Sequence, residues 1–86
     1  MSLLSENVMP GNHGQIFTTN AVKLTDLKRI ESILLKLKGI KDVVLNESVS
    51  PREFTVHTTS IVSIDDIEKQ VNLTGFHAIP KGLFKL

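Results

Sequence analysis

The chain has 86 residues, 41% of them hydrophobic, with a formal net charge of +1 and no cysteine. A chain of this length forms one domain with a small core, and its near-neutral charge gives no general attraction to nucleic acid or anionic lipid. The lack of cysteine excludes disulfides, thiolate metal sites and thiol catalysis. We expect a cytoplasmic protein with no membrane partner, because no apolar run approaches the roughly 18 residues of a membrane span and the start does not resemble a signal peptide.

The first part of the chain divides into a tail and the first strand of a domain. We expect residues 1–14 to form a flexible N-terminal tail, because Pro10, Gly11 and Gly14 interrupt any regular element there. We therefore expect the folded domain to span 15–86. Its first stretch, QIFTTN, alternates and is β-branched, which is typical of a half-buried strand. We place Ile16 on the core side of this strand and Phe17 on the opposite side.

Two amphipathic helices are predicted. The first spans about 25–38 and stops at Gly39, with apolar residues at spacings of three and four, namely Leu27, Ile30, Leu34 and Leu37. The second begins after Ser63, which with Asp66 forms a variant of the capping box, and it ends at Gly75. Its apolar stripe consists of Ile64, Ile67 and Val71.

Two more strands lie between the helices, and a short one follows the second helix. In IKDVVLNES and REFTVHTTS, alternate residues face the core, and FHAIP ends in a proline that suits an edge. The order βαββαβ, with right-handed crossovers, predicts an α+β, ferredoxin-like sandwich with a four-stranded antiparallel sheet and both helices on one face. We call the opposite side of the sheet the open face.

The open face is the candidate interaction surface. By alternation, its central members are Phe17, Val44, Thr55, His57 and Ile79. Because this mixture is apolar and weakly charged, we expect something to cover it. The cover could be another chain, either a second copy or a different protein. It could also be internal, formed by apolar residues of the two ends, namely Leu3, Leu4, Val8, Met9, Leu83, Phe84 and Leu86.

The stretch RIESILLKLKGIKDVVLN, residues 29–46, resembles the region that follows the metal loop in heavy-metal-associated domains, the copper-chaperone-like modules also found in metal-pumping ATPases. That family reads I-E-x-x-L-x-x-L-x-G-V-x-x-V-x-V-N. The matching positions here are Ile30, Glu31, Leu34, Leu37, Gly39, Ile40, Val43, Leu45 and Asn46. DIEKQVNLTGF continues the match to the ending of the family's second helix, so the resemblance covers about 15–78.

The defining motif of that family is missing. Its G-M-x-C-x-x-C falls on residues 20–26, where Lys23 and Asp26 stand at the two cysteine positions. The resemblance therefore implies a degenerate metal loop formed by Asn20, Lys23, Asp26 and Phe76. We do not expect copper(I) transfer, because an ammonium is itself a cation and a lone carboxylate is a hard ligand. We expect Lys23 and Asp26 to form an ion pair over this site, with two separately solvated charges as the alternative.

Two other function classes are disfavoured. No histidine is paired with a nucleophile in a readable motif, so we do not expect an enzyme. RNA-recognition motifs share the predicted topology, but REFTVHTT lacks their aromatic signature. We therefore expect a non-catalytic module without a cofactor that binds a protein partner, or a second copy, through its open face. The alternative is a metal-handling module with oxygen and imidazole ligands, contributed by Asn20, Asp26 and His77.

Overall fold

The computed structural model of the chain describes residues 7–11 and 14–81. Two helices and six strands lie in this part of the chain. In chain order they are β1 (Asn7–Val8), β2 (Gln15–Thr19), α1 (Leu24–Leu35), β3 (Ile40–Asn46), β4 (Arg52–Thr58), β5 (Val62–Ser63), α2 (Ile64–Asn72) and β6 (Ala78–Pro80). Neither described helix is long and apolar enough to cross a membrane.

Four strands form the main sheet. Their order is β3-β4-β2-β6, and every neighbouring pair is antiparallel. The predicted α+β class with two helices and a four-stranded antiparallel sheet is therefore confirmed. A second sheet that the sequence did not indicate pairs β1 with β5.

The core lies between the helices and one face of the main sheet. Both predicted apolar stripes are buried, with Leu27, Ile30 and Leu34 on α1 and Ile64, Ile67 and Val71 on α2. These side chains form one cluster with Phe54 and Val56 of β4, so both helices cover the same face of the sheet. Helix α2 also starts as predicted, because the Ser63 hydroxyl accepts a hydrogen bond of 3.0 Å from the Asp66 backbone N–H.

Helix α1 ends at Leu35, three residues before the predicted end, and Gly39 serves the turn that follows. Gly39 has a φ of +95°, a conformation that other residues rarely adopt. A Cβ atom added there would lie 2.7 Å from both the Ser60 hydroxyl and a Val62 methyl group. Glycine is therefore required where the chain passes from α1 to β3 beneath β5.

The prediction for the facing of β2 is wrong. Phe17 is fully buried, whereas Ile16 is 38% exposed. The Phe17 ring stacks on the Phe54 ring of the neighbouring strand with centroids 5.3 Å apart. Two adjacent apolar residues flanked by polar ones do not fix the facing of a strand, and the larger aromatic side chain gains more from burial. Phe17 therefore belongs to the core and not to the open face.

The predicted flexible tail is wrong for residues 7 and 8. Asn7 and Val8 pair with Ser63 and Val62, and the Val8 side chain is only 2% exposed. Val8 joins the helix-side cluster, so it does not cover the open face. Met9 is 58% exposed. The other apolar end residues proposed as a cover, Leu3, Leu4, Leu83, Phe84 and Leu86, lie outside the described residues.

Substitution of the first two apolar residues of β2 tests its facing. We expect Phe17→Ala to lower the free energy of unfolding by about 3–5 kcal/mol, because it leaves a cavity beside Phe54. Ile16→Ala should cost less than about 1 kcal/mol, since it removes strand propensity and little packing. Chemical denaturation of both variants measures the difference, and a larger effect at Ile16 than at Phe17 would contradict this structure of the strand.

Candidate functional site

Asn20, Lys23 and Asp26 lie in and just after the loop that joins β2 to α1. Lys23 is the residue before the first helical turn, with extended backbone angles, and its carbonyl accepts hydrogen bonds of 3.0 Å from the N–H groups of Asp26 and Leu27. The Lys23 side chain provides no cap, since an ammonium group has no acceptor. Asp26 places a carboxylate in the first turn, where it interacts favourably with the helix dipole.

The predicted ion pair between Lys23 and Asp26 does not form. The ion pairs found in the described part of the chain join other residues. Lys23 lies just before α1 and its side chain is exposed, so no packing holds it against the Asp26 carboxylate. An exposed pair also gains only about 0–1 kcal/mol, which does not offset the cost of ordering a long side chain. Lys23 and Asp26 are therefore separately solvated, which is the alternative prediction to an ion pair.

Asn20 has a structural role that the sequence did not reveal. Its side-chain carbonyl accepts a hydrogen bond of 2.8 Å from the backbone N–H of His77, so it ties the loop after β2 to the segment before β6. Beside this link, Phe76 packs partly buried against the core. Within residues 7–11 and 14–81, no three histidine, aspartate or glutamate side chains come close enough together to hold a metal ion.

The open face carries three exposed apolar side chains. Ile16, Val44 and Ile79 are 38%, 52% and 63% exposed. In the register of the sheet, Thr55 lies directly between Val44 and Ile16. Val44, Thr55 and Ile16 therefore form one row across β3, β4 and β2, which we call the apolar row. Val44, Thr55 and Ile79 therefore lie where the sequence predicted them, and Ile16 takes the place expected for Phe17.

A histidine–aspartate contact and an ion pair accompany this apolar row. The His57 ring nitrogen Nδ1 lies 2.6 Å from Oδ1 of Asp42 on β3. Lys81, just after β6, places Nζ 2.6 Å from Oε2 of Glu53 on β4. His57 was predicted on this face, but its partner was not, because the pairing of Asp42 with His57 follows from the register between β3 and β4, which the sequence does not give.

A shallow depression joins the open face to the Asn20 loop. Its volume is about 300 Å³, and it is lined by Thr18, Thr19, Asn20, Pro51, His77 and Ile79. Its walls are mainly apolar, and one wall is the exposed Ile79 side chain. The Asn20 loop and the open face are thus parts of one continuous surface.

A comparison of the chain with protein-family models, curated proteins and solved structures finds no match. The heavy-metal-associated resemblance therefore stays a prediction based on the residues named above. The candidate functional site consists of the open face together with the depression beside Asn20.

Removal of the Asn20 side chain tests the link between the two loops. We expect Asn20→Ala to cost about 0.5–1.5 kcal/mol in stability and to speed hydrogen exchange at the His77 amide, because that N–H loses its acceptor. Lys23→Ala, in the same loop, is the matched control and should change stability by less than about 0.5 kcal/mol. Unchanged exchange at His77 in Asn20→Ala would rule out the link.

Proposed function

We propose that this chain is a non-catalytic, ferredoxin-like module of the heavy-metal-associated type that binds another protein through its open face. The observation that carries the proposal is the exposure of Ile16, Val44 and Ile79 on one side of the sheet. In a chain this small, three large apolar side chains on one flat surface are poorly placed in water. Burial against a partner would remove that cost.

The charges of the open face suit a protein partner. Lys81 balances the charge of Glu53, and the Asp42 carboxylate lies against the His57 ring nitrogen. These pairs flank the apolar row, which resembles an interface with an apolar centre and a polar rim. Among Asp42, Glu53, His57 and Lys81 there is no excess of positive charge that would select nucleic acid or an anionic membrane.

The depression beside Ile79 adds an anchor point. Its volume of about 300 Å³ is at the lower limit for small-molecule sites, and it is open to solvent. A single apolar side chain from a partner could enter it and contact Ile79 and Pro51. Contacts of that kind supply a large share of the binding energy in protein interfaces.

The topology supports the ferredoxin-like part of the proposal, and the residues at the cysteine positions limit its metal chemistry. The strand order agrees with the ferredoxin-like arrangement, and so does the chain order, in which one helix precedes the β3–β4 hairpin and the other follows it. Lys23 and Asp26 at the cysteine positions argue against copper(I) transfer, because neither is a soft ligand. A cytoplasmic location remains part of the proposal.

The alternative is a metal-handling module in which Asn20, Asp26 and His77 act as ligands. Asn20 and the His77 backbone do lie together, but the Asn20 carbonyl already accepts the His77 N–H. We therefore expect zinc, nickel or copper(I) to leave the melting temperature unchanged, since an ion bound only by the native state would raise it. A rise that disappears in Asn20→Ala would support the alternative instead.

Site-specific photo-crosslinking in the native host tests the open face. A benzophenone side chain at position 79 should capture a protein of defined mass, because Ile79 is 63% exposed beside the depression. Position 73 is the matched control, since Leu73 is 71% exposed but lies at the end of α2 on the helix side. Mass spectrometry of the adduct distinguishes a second copy from another protein. Equal adducts at both positions would contradict a specific contact on the open face.

A further inference from the structure

The outer edge of β3 is the longest unpaired sheet edge in the described part of the chain. β3 spans Ile40–Asn46 and pairs only with β4 among the described strands. The opposite edge of the sheet is β6, which has three residues and ends in Pro80. Proline and short length protect β6 against further pairing, whereas the bulge of β3 lies at its start and leaves the regular edge from Asp42 to Asn46 unprotected.

The backbone groups that face outward from β3 follow from the register. In an antiparallel pair, successive residues direct their N–H and C=O groups to opposite sides. The Ile16 carbonyl accepts a hydrogen bond of 2.8 Å from the Lys81 N–H, just after β6. The backbone groups of Ile16 therefore point toward β6 and away from Thr55 on β4. Thr55 therefore bonds to Val44 of β3, opposite it in the register. Val43 and Leu45 consequently direct their backbone groups outward, where no described strand receives them.

Two opposite charges flank this edge. Lys41 precedes the outward-facing residues and Glu47 follows them, and both are exposed. Neither side chain is joined by an ion pair to another described residue. Both lie three positions from Val44, Lys41 at the bulge near the start of β3 and Glu47 in the turn that follows β3. A strand with this arrangement is complementary to its own copy when the copy runs antiparallel.

We propose that two copies of the chain associate through their β3 strands, paired antiparallel about a two-fold axis at Val44. Val43 of each copy then exchanges two backbone hydrogen bonds with Leu45 of the other. Val44 meets its own copy on the axis as a non-hydrogen-bonded pair, in which side chains approach closely. Lys41 of each copy lies beside Glu47 of the other, giving two equivalent opposite-charge contacts.

Other registers are less favourable. A two-fold axis at Val43 would place Lys41 beside Leu45, and one at Leu45 would place Val43 beside Glu47. A two-fold axis between two residues would pair each residue whose backbone N–H and C=O point outward with one whose groups point inward to β4, so the hydrogen bonds could not form. Only the axis at Val44 joins backbone groups that are free and charges that are opposite.

A second copy is a better occupant than an unrelated peptide. Any extended segment could bond to the edge, but opposite charges at equal distances from Val44 specify the same strand reversed. Two-fold pairing also closes, so it gives a dimer and not a filament. The dimer joins two four-stranded sheets into one, with the two open faces side by side. This goes beyond the proposed function, because it uses the edge of the sheet and leaves the open face free.

Charge reversal tests the pairing by sedimentation equilibrium at low salt. Lys41→Glu and Glu47→Lys should each weaken dimerisation about tenfold, because each turns two attractive contacts into repulsive ones. The double variant Lys41→Glu/Glu47→Lys should restore the wild-type dissociation constant. Lys28→Glu, an exposed reversal on α1, is the control for net charge and should change it little. A chain that stays monomeric at millimolar concentration, or a double variant that stays weak, would overturn the proposal.

Hydrogen exchange at several protein concentrations separates edge pairing from stacking of open faces. The Val43 and Leu45 amides should slow as concentration rises, whereas the Val44 amide should be slow throughout because it bonds to Thr55. Ile79→Asp should leave this protection intact. Association could instead leave hydrogen exchange at the Val43 and Leu45 amides fast and be abolished by Ile79→Asp. The contact would then lie on the open face, so the edge proposal would fail while the proposed function would stand.

Discussion

The stack of Phe17 on Phe54 is the contact on which the rest of the sheet depends. Both rings are fully buried, and they join β2 and β4, the two middle strands. Because side chains alternate with a period of two, this contact sets the facing of every other residue on both strands. It directs Ile16 and Thr55 to the far side. The helix-side core and the apolar row of the open face are therefore two results of the same contact.

The helices could be predicted from the sequence because their pattern extends over several turns. Leu27, Ile30 and Leu34 fix one face of α1 together, and an error of one residue would break the pattern. The five residues of β2 contain two adjacent apolar side chains, and either assignment satisfies alternation. Side-chain size and the partner Phe54 decide between them, and the partner is known only once the strands are paired. Val8 was missed because a two-residue strand has no period.

The candidate site was predictable where it borders a well-defined core. Val44, Thr55 and His57 were placed correctly because Val43, Phe54 and Val56 beside them are clearly buried. Contacts between distant segments were not predictable. The His57–Asp42 pair depends on the register between β3 and β4, and the Asn20–His77 link joins residues 57 positions apart. Spacing in the sequence likewise suggested an ion pair between Lys23 and Asp26, which the exposed Lys23 side chain does not form.

The pairing of β1 with β5 affects how this domain can be shortened or fused. Asn7 lies opposite Ser63, the residue that caps α2, and Val8 fills the core beside Val62. A fragment that starts at residue 15 would lack this strand, leave β5 without a neighbour and open a gap beneath α2. The folded domain therefore includes Asn7. Affinity tags, protease sites and fusion partners belong upstream of it.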